Sequence, residues 1–100
     1  MDLLLDHPRR HPDTAFRQIG DEGGLVVLPG RAEVKVLNPV GIAVFSLLDG
    51  SRDLDALAMT IAGEFEIEFD RAKEDVVTFL EELQREGMLA DATSPNEGSS

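Results

Sequence analysis

Few residues in this chain have the type and spacing for chemistry. His7 and His11 stand four apart, the spacing of two ligands on one helical face, but Pro8 and Pro12 beside them argue against a helix there. Glu64, Glu66, Glu68 and Asp70 could loosely chelate a hard cation. They lack the glycine and the register of a calcium loop, and read better as a solvated acidic face. Ser and Thr are few and have no basic residue placed to activate them. There is no Cys, which excludes disulfides and thiolate chemistry. Gly23-Gly24 and Gly30 fit turns rather than a phosphate cradle. No catalytic residue, no metal and no cofactor is expected, so the chain reads as a binding protein and not an enzyme.

Composition narrows what it could bind. The formal net charge is -11 over 100 residues, and such a surface repels a phosphate backbone. A chain this long makes one domain with a modest core. No apolar run reaches the roughly 20 residues that cross a bilayer. In "MDLLLDHPRRHP" Asp2 and Asp6 flank the short apolar patch and no basic leader precedes it, so it does not read as a signal peptide; a cytoplasmic location is expected. Residues 1–13 show no helical or strand period and read as an N-terminal arm, residues 14–90 as the folded domain. The polar "DATSPNEGSS" of 91–100 reads as a disordered tail.

Three short strands come first. "TAFRQIG" ends at Gly20, "LVVLPG" follows a turn-rich "DEGG", and "RAEVKVL" follows Pro29-Gly30. In the third strand Ala32, Val34 and Val36 alternate with Glu33 and Lys35. The valine face is expected to be covered and the charged face turned outward.

Asn38-Pro39 ends the meander with an N-cap followed by a proline at the first helical position. "PVGIAVFSLLD" then gives a helix buried on most sides and closed by Gly50. A second helix is capped by Asp53, with Leu54, Leu57, Ala58 and Ile61 as its stripe. "EFEIEFD" predicts the end of that helix, a turn, and three apolar plugs: Phe65, Ile67 and Phe69. A third helix runs from about Asp70 to Glu86. The fold class is therefore α+β, a winged helix-turn-helix-like arrangement with a three-stranded antiparallel β-meander followed by three α-helices.

Such folds commonly bind DNA, and a winged-helix DNA-binding protein is one alternative reading. Between Glu64 and Glu86, however, nine residues are acidic and three (Arg71, Lys73, Arg85) basic. Glu74, Asp75, Glu81 and Glu82 would meet phosphate with like charge. The other feature left over is the third strand. An edge from Arg31 to Leu37 contains no proline, so it could accept an added strand from an extended peptide. The competing reading is a structural homodimerisation domain whose edge strand is occupied by its own twin.

The residues from about Ala15 to Leu89 also resemble the PqqD family. The matching features are Leu37-Asn38 after the third strand, Leu48-Asp49-Gly50 after the first helix, Asp75-Val76 and Phe79-Leu80 in the third helix, and Gly87-Met88-Leu89 at its end. Pro39-Val40-Gly41 looks more like the broader group of recognition elements than like PqqD proper. Phe45 stands where that group often has an aromatic.

The resemblance implies a recognition element for ribosomally made, post-translationally modified peptides (RiPPs). Such an element captures the leader of a precursor peptide by β-strand addition and presents it to a modifying enzyme. In pyrroloquinoline quinone (PQQ) biosynthesis that enzyme is a radical S-adenosylmethionine (SAM) protein. It further implies that the leader lies between the third strand and the third helix. The expected peptide-binding residues are Arg31, Ala32, Glu33, Val34, Lys35, Val36 and Leu37, with Lys73, Val76, Val77, Leu80 and Gln84 as the helical wall. Lys35 and Lys73 are expected to be available to an acidic leader residue.

Overall fold

The computed structural model describes residues 7–28, 30 and 33–90. Its elements run β1 (Ala15–Gln18), β2 (Gly24–Leu28), β3 (Glu33–Leu37), α1 (Pro39–Ser46), α2 (Leu54–Phe65) and α3 (Phe69–Arg85). The sheet is an antiparallel meander in the order β1-β2-β3, which leaves β3 at an edge. The expected α+β class, with three strands and then three helices, is the one observed. The predicted tail, like Arg31 and Ala32, lies outside the described residues.

The local signals act as their chemistry requires. Asn38 accepts from the Gly41 N–H through its Oδ1 at 2.7 Å, and Pro39 opens α1. The Asp53 carboxylate caps α2 by accepting from the Ala56 N–H at 2.8 Å. α1 ends at Ser46, short of the predicted Asp49. After α2, Glu66 turns into the left-handed region with φ 58°. This reverses the chain so that α3 can pack back on α2. "EFEIEFD" is thus helix end, turn and helix start. Phe65 and Ile67 pack against the core as expected. Phe69 does not: it is 36% exposed, and its ring lies 6.0 Å from the Lys73 ammonium.

Val26, Leu28 and Leu37 from the sheet meet Ile42, Val44, Phe45 and Leu48 of the α1 region. Leu57 and Ile61 of α2 and Ala72, Val76, Leu80 and Leu83 of α3 close the same core. Met88 and Leu89 plug its end. The arm's described part is tied into this body. The Arg10 N–H donates to Leu48 O at 2.8 Å, His11 N–H to Met88 O, and Ala90 N–H to Arg9 O. The Arg10 guanidinium donates to the carbonyls of Phe45 and Ser46 at the C-terminal end of α1 and lies 5.0 Å from the Phe16 ring centroid. A cation at a helix C-terminus answers carbonyls that have no partner within the helix.

One expectation about β3 is reversed. Val34 and Val36 are 58% and 75% exposed, while Leu37 is buried. Lys35 lies on the core side of the sheet. The reason is register: Lys35 pairs with Val26 and Leu37 with Gly24, and directly opposed residues share a face. Burying Val26 and Leu37 therefore carries Lys35 inward and turns both valines outward, because side chains alternate every residue.

Candidate functional site: the cleft between the edge strand and the third helix

The edge of β3 with which no strand pairs among the described residues has a definite pattern of donors and acceptors. The Ile19 N–H donates to Gly23 O at 2.8 Å in the first hairpin. That bond fixes the phase of the antiparallel ladder, in which hydrogen-bonded and non-bonded pairs alternate. Propagated through the observed register, it directs the backbone groups of Glu33, Lys35 and Leu37 toward β2. Those of Val34 and Val36 point to the open edge. Two N–H and two C=O groups therefore face outward from a strand that contains no proline.

Beside this edge stands one flank of α3. At about 100° per residue, Asp75, Phe79, Glu82 and Glu86 fall on a single stripe of the helix. Phe79 and Asp75 join Asn38, Val40, Gly41 and Val44 around a cavity of about 260 Å³. A second, of about 400 Å³, is lined by Leu28, Glu33, Val34, Lys35 and Glu86. Gly41 matters to the first. A Cβ there would sit 3.4 Å from Leu37 Cβ and 3.5 Å from the Phe79 ring, so its absence keeps the floor between α1 and α3 open.

Lys35 spans the cleft from strand to helix. Its Nζ donates to Glu82 Oε2 at 2.9 Å and lies 3.0 Å from Glu86 Oε1. The hydrogen bond that Lys35 donates to Glu82 is the main cause that raises its pKa above the ordinary 10.5; partial burial works in the opposite direction, and Glu86 adds to the rise. Its aliphatic stem lies along the core side while the charged end reaches the carboxylates.

The expected wall residues fare differently. Glu33, Val34, Lys35, Val36 and Leu37 form the edge strand. Val76 and Leu80 are fully buried in the core. Lys73, Val77 and Gln84 fall on the opposite flank of α3, roughly half a helical turn from the Asp75–Glu86 stripe. Lys73 fixes that orientation, since its Nζ lies 3.0 Å from Asp55 Oδ1 on α2. It is not available to the cleft. Lys35 is in the cleft but already bound by two carboxylates. Asp75, Phe79, Glu82 and Glu86 are the wall that sequence reasoning missed. Their i, i+4, i+7, i+11 spacing is a legible stripe, but the sequence reading weighs Asp75 and Glu82 only against phosphate.

Among the described residues, no group of three or more His, Asp or Glu side chains is gathered closely enough to hold a metal ion. Nor is any helix of those residues long and apolar enough to cross a membrane.

Comparison with known proteins places this arrangement. Residues 24–89 match the family model described as coenzyme PQQ synthesis protein D (PqqD). A PqqA binding protein of Rhizobium meliloti (strain 1021) is 33% identical over 66 residues, covering 66% of this chain and 67% of that protein. Among solved structures, a lasso peptide synthetase B1 complexed with its leader peptide superposes with a TM-score of 0.72 at 20% identity. The match covers 85% of this chain and 99% of the synthetase chain. The PqqD truncation of Methylobacterium extorquens PqqCD, a stand-alone RiPP recognition element, gives a TM-score of 0.70 at 18% identity, covering 84% and 88% of the two chains. The fold is shared with both, and with the family match across β2 to Leu89, the chain belongs to the PqqD family.

Proposed function

We propose that this protein is a non-catalytic adaptor that captures the leader of a ribosomally made precursor peptide and presents it to a modifying enzyme. The observation that carries this reading is the outward pattern of donors and acceptors at Val34 and Val36, set beside an open cleft against α3. The leader adds as a fourth strand at this edge. Its alternate side chains enter the cleft over Asp75, Phe79, Glu82 and Glu86, with an apolar residue filling the cavity at Val40, Gly41, Val44 and Phe79. The PqqA binding protein and the leader-bound synthetase among its relatives support the reading.

The recognition unit spans residues 14–90. It works in the cytoplasm without a cofactor, and its enzyme partner is a radical SAM protein if the peptide belongs to the PQQ pathway.

The test is an amide-shift titration with PqqA, the binding partner for which the Rhizobium relative is named. Shifts at Val34, Val36 and the Asp75–Glu86 stripe are expected. Shifts confined to Lys73, Val77 and Gln84 would place the site on the wrong flank. A tight dimer in light scattering with no peptide response would favour self-pairing of β3.

A further inference from the structure

We infer that the Lys35–Glu82–Glu86 cluster makes the cleft reject an acidic side chain at the leader position beside Lys35, so that the captured segment is neutral or basic there. This rests on the strand-capture reading above and names the class of peptide that the site takes.

The sole ammonium that β3 directs into the cleft among the described residues is Lys35. It is held at 2.9 Å by one carboxylate and 3.0 Å by another. An acidic leader residue at that level would have to displace a glutamate, and would then face two carboxylates on the same helical stripe. Farther along the stripe Asp75 adds a third negative group, itself 3.4 Å from Arg71. An uncharged side chain meets no such opposition, and a Lys or Arg can share Glu82 or Glu86, whose side chains are 40% and 42% exposed.

Alternation makes the effect specific to position. Residues of the added strand that lie beside Lys35 and Leu37 point at α3, whereas their neighbours share the outer face with Val34 and Val36. The overall charge of -11 disfavours acid everywhere on a peptide; the cluster disfavours it at one inward position.

The experiment begins with a displayed library of random dodecapeptides selected on the full chain. One enriched peptide is synthesised together with a set of single Glu substitutions along it, and binding is followed by fluorescence anisotropy. Glu is expected to weaken binding about tenfold at one inward position and less than about twofold at the two flanking positions. On the Glu82→Gln/Glu86→Gln double variant, which frees the Lys35 ammonium, that same Glu peptide should bind at least as well as its parent.

Equal losses at inward and flanking positions, or a double variant that still rejects the inward Glu, would overturn the charge selection while strand capture stands. A library that enriches nothing, or peptides that leave the Val34 and Val36 amides unmoved, would overturn strand capture and this inference with it. If the double variant does not fold, the positional scan on the unaltered chain decides alone.

Discussion

Replacing Val36 with proline separates backbone recognition from everything else β3 does. The ladder phase points the Val36 N–H away from β2, so proline there removes an outward donor and leaves the β2–β3 hydrogen bonds in place. Proline is tolerated on edge strands where its missing N–H faces solvent. The Val36 side chain is 75% exposed, so little packing is lost.

An incoming peptide strand, by contrast, loses a partner for one carbonyl. A carbonyl left buried without its partner costs about 1–3 kcal/mol, which weakens binding roughly 5- to 150-fold. The assay is anisotropy or calorimetry with a peptide that binds the unaltered chain, beside thermal melts of both proteins.

Lys35→Pro provides the contrast. There the lost N–H belongs to the ladder with β2, so the melt should fall by much more than for Val36→Pro. Unchanged peptide affinity in Val36→Pro, with the fold intact, would refute strand addition at this edge. Equal destabilisation by the two prolines would refute the assigned ladder phase.

Other expectations follow from the same structure. Arg10→Ala removes the guanidinium bonds to Phe45 O and Ser46 O and its position over Phe16; a loss of about 2 kcal/mol, read as a fall of roughly 8–16 °C in Tm, is expected by circular dichroism. Gly23→Ala should be more damaging than a typical surface change. Gly23 has φ 118°, and a Cβ would collide with the Leu37 carbonyl oxygen; a Tm unchanged by the substitution would contradict that contact. Lys35→Met should lose the ion pairs but keep the stem's packing. Because the folded-state pKa of Lys35 is raised, its contribution is complete below about pH 10.5 and fades as pH climbs through the higher folded value. The Tm gap between the unaltered chain and Lys35→Met should therefore hold steady from pH 7 to 10 and shrink above that. A gap that closes well below pH 10 would show that the ammonium is not the source.

The elements themselves were readable because their determinants are local. Asn38-Pro39 and Asp53 supply caps whatever surrounds them. Leu57, Ala58 and Ile61 are spaced for one helical face. The edge strand was legible for a similar reason, since three strands in a meander always leave an edge and β3 lacks a proline to block it.

The cleft was harder to read. Asp75 and Glu82 enter the sequence reading only as charges that would repel phosphate, because acidity in a sequence does not reveal whether a lysine of another element lies within reach.

By itself, then, the sequence determined which residues alternate on β3 and which recur on α3, and it marked β3 as a strand that a peptide could join. It could not decide which of two faces turns inward. That choice belongs to the pairing of Val26 with Lys35 and Gly24 with Leu37, which buries Leu37 and sends Val34 and Val36 to the surface. Nor could it set the rotation of α3 about its own axis. Packing of Ala72, Val76, Leu80 and Leu83 into the core fixes that angle, turning Lys73 toward Asp55 and the Asp75–Glu86 stripe toward the cleft. Periodicity is a property of the chain, but its phase relative to a neighbour is set only when two buried surfaces must fit each other.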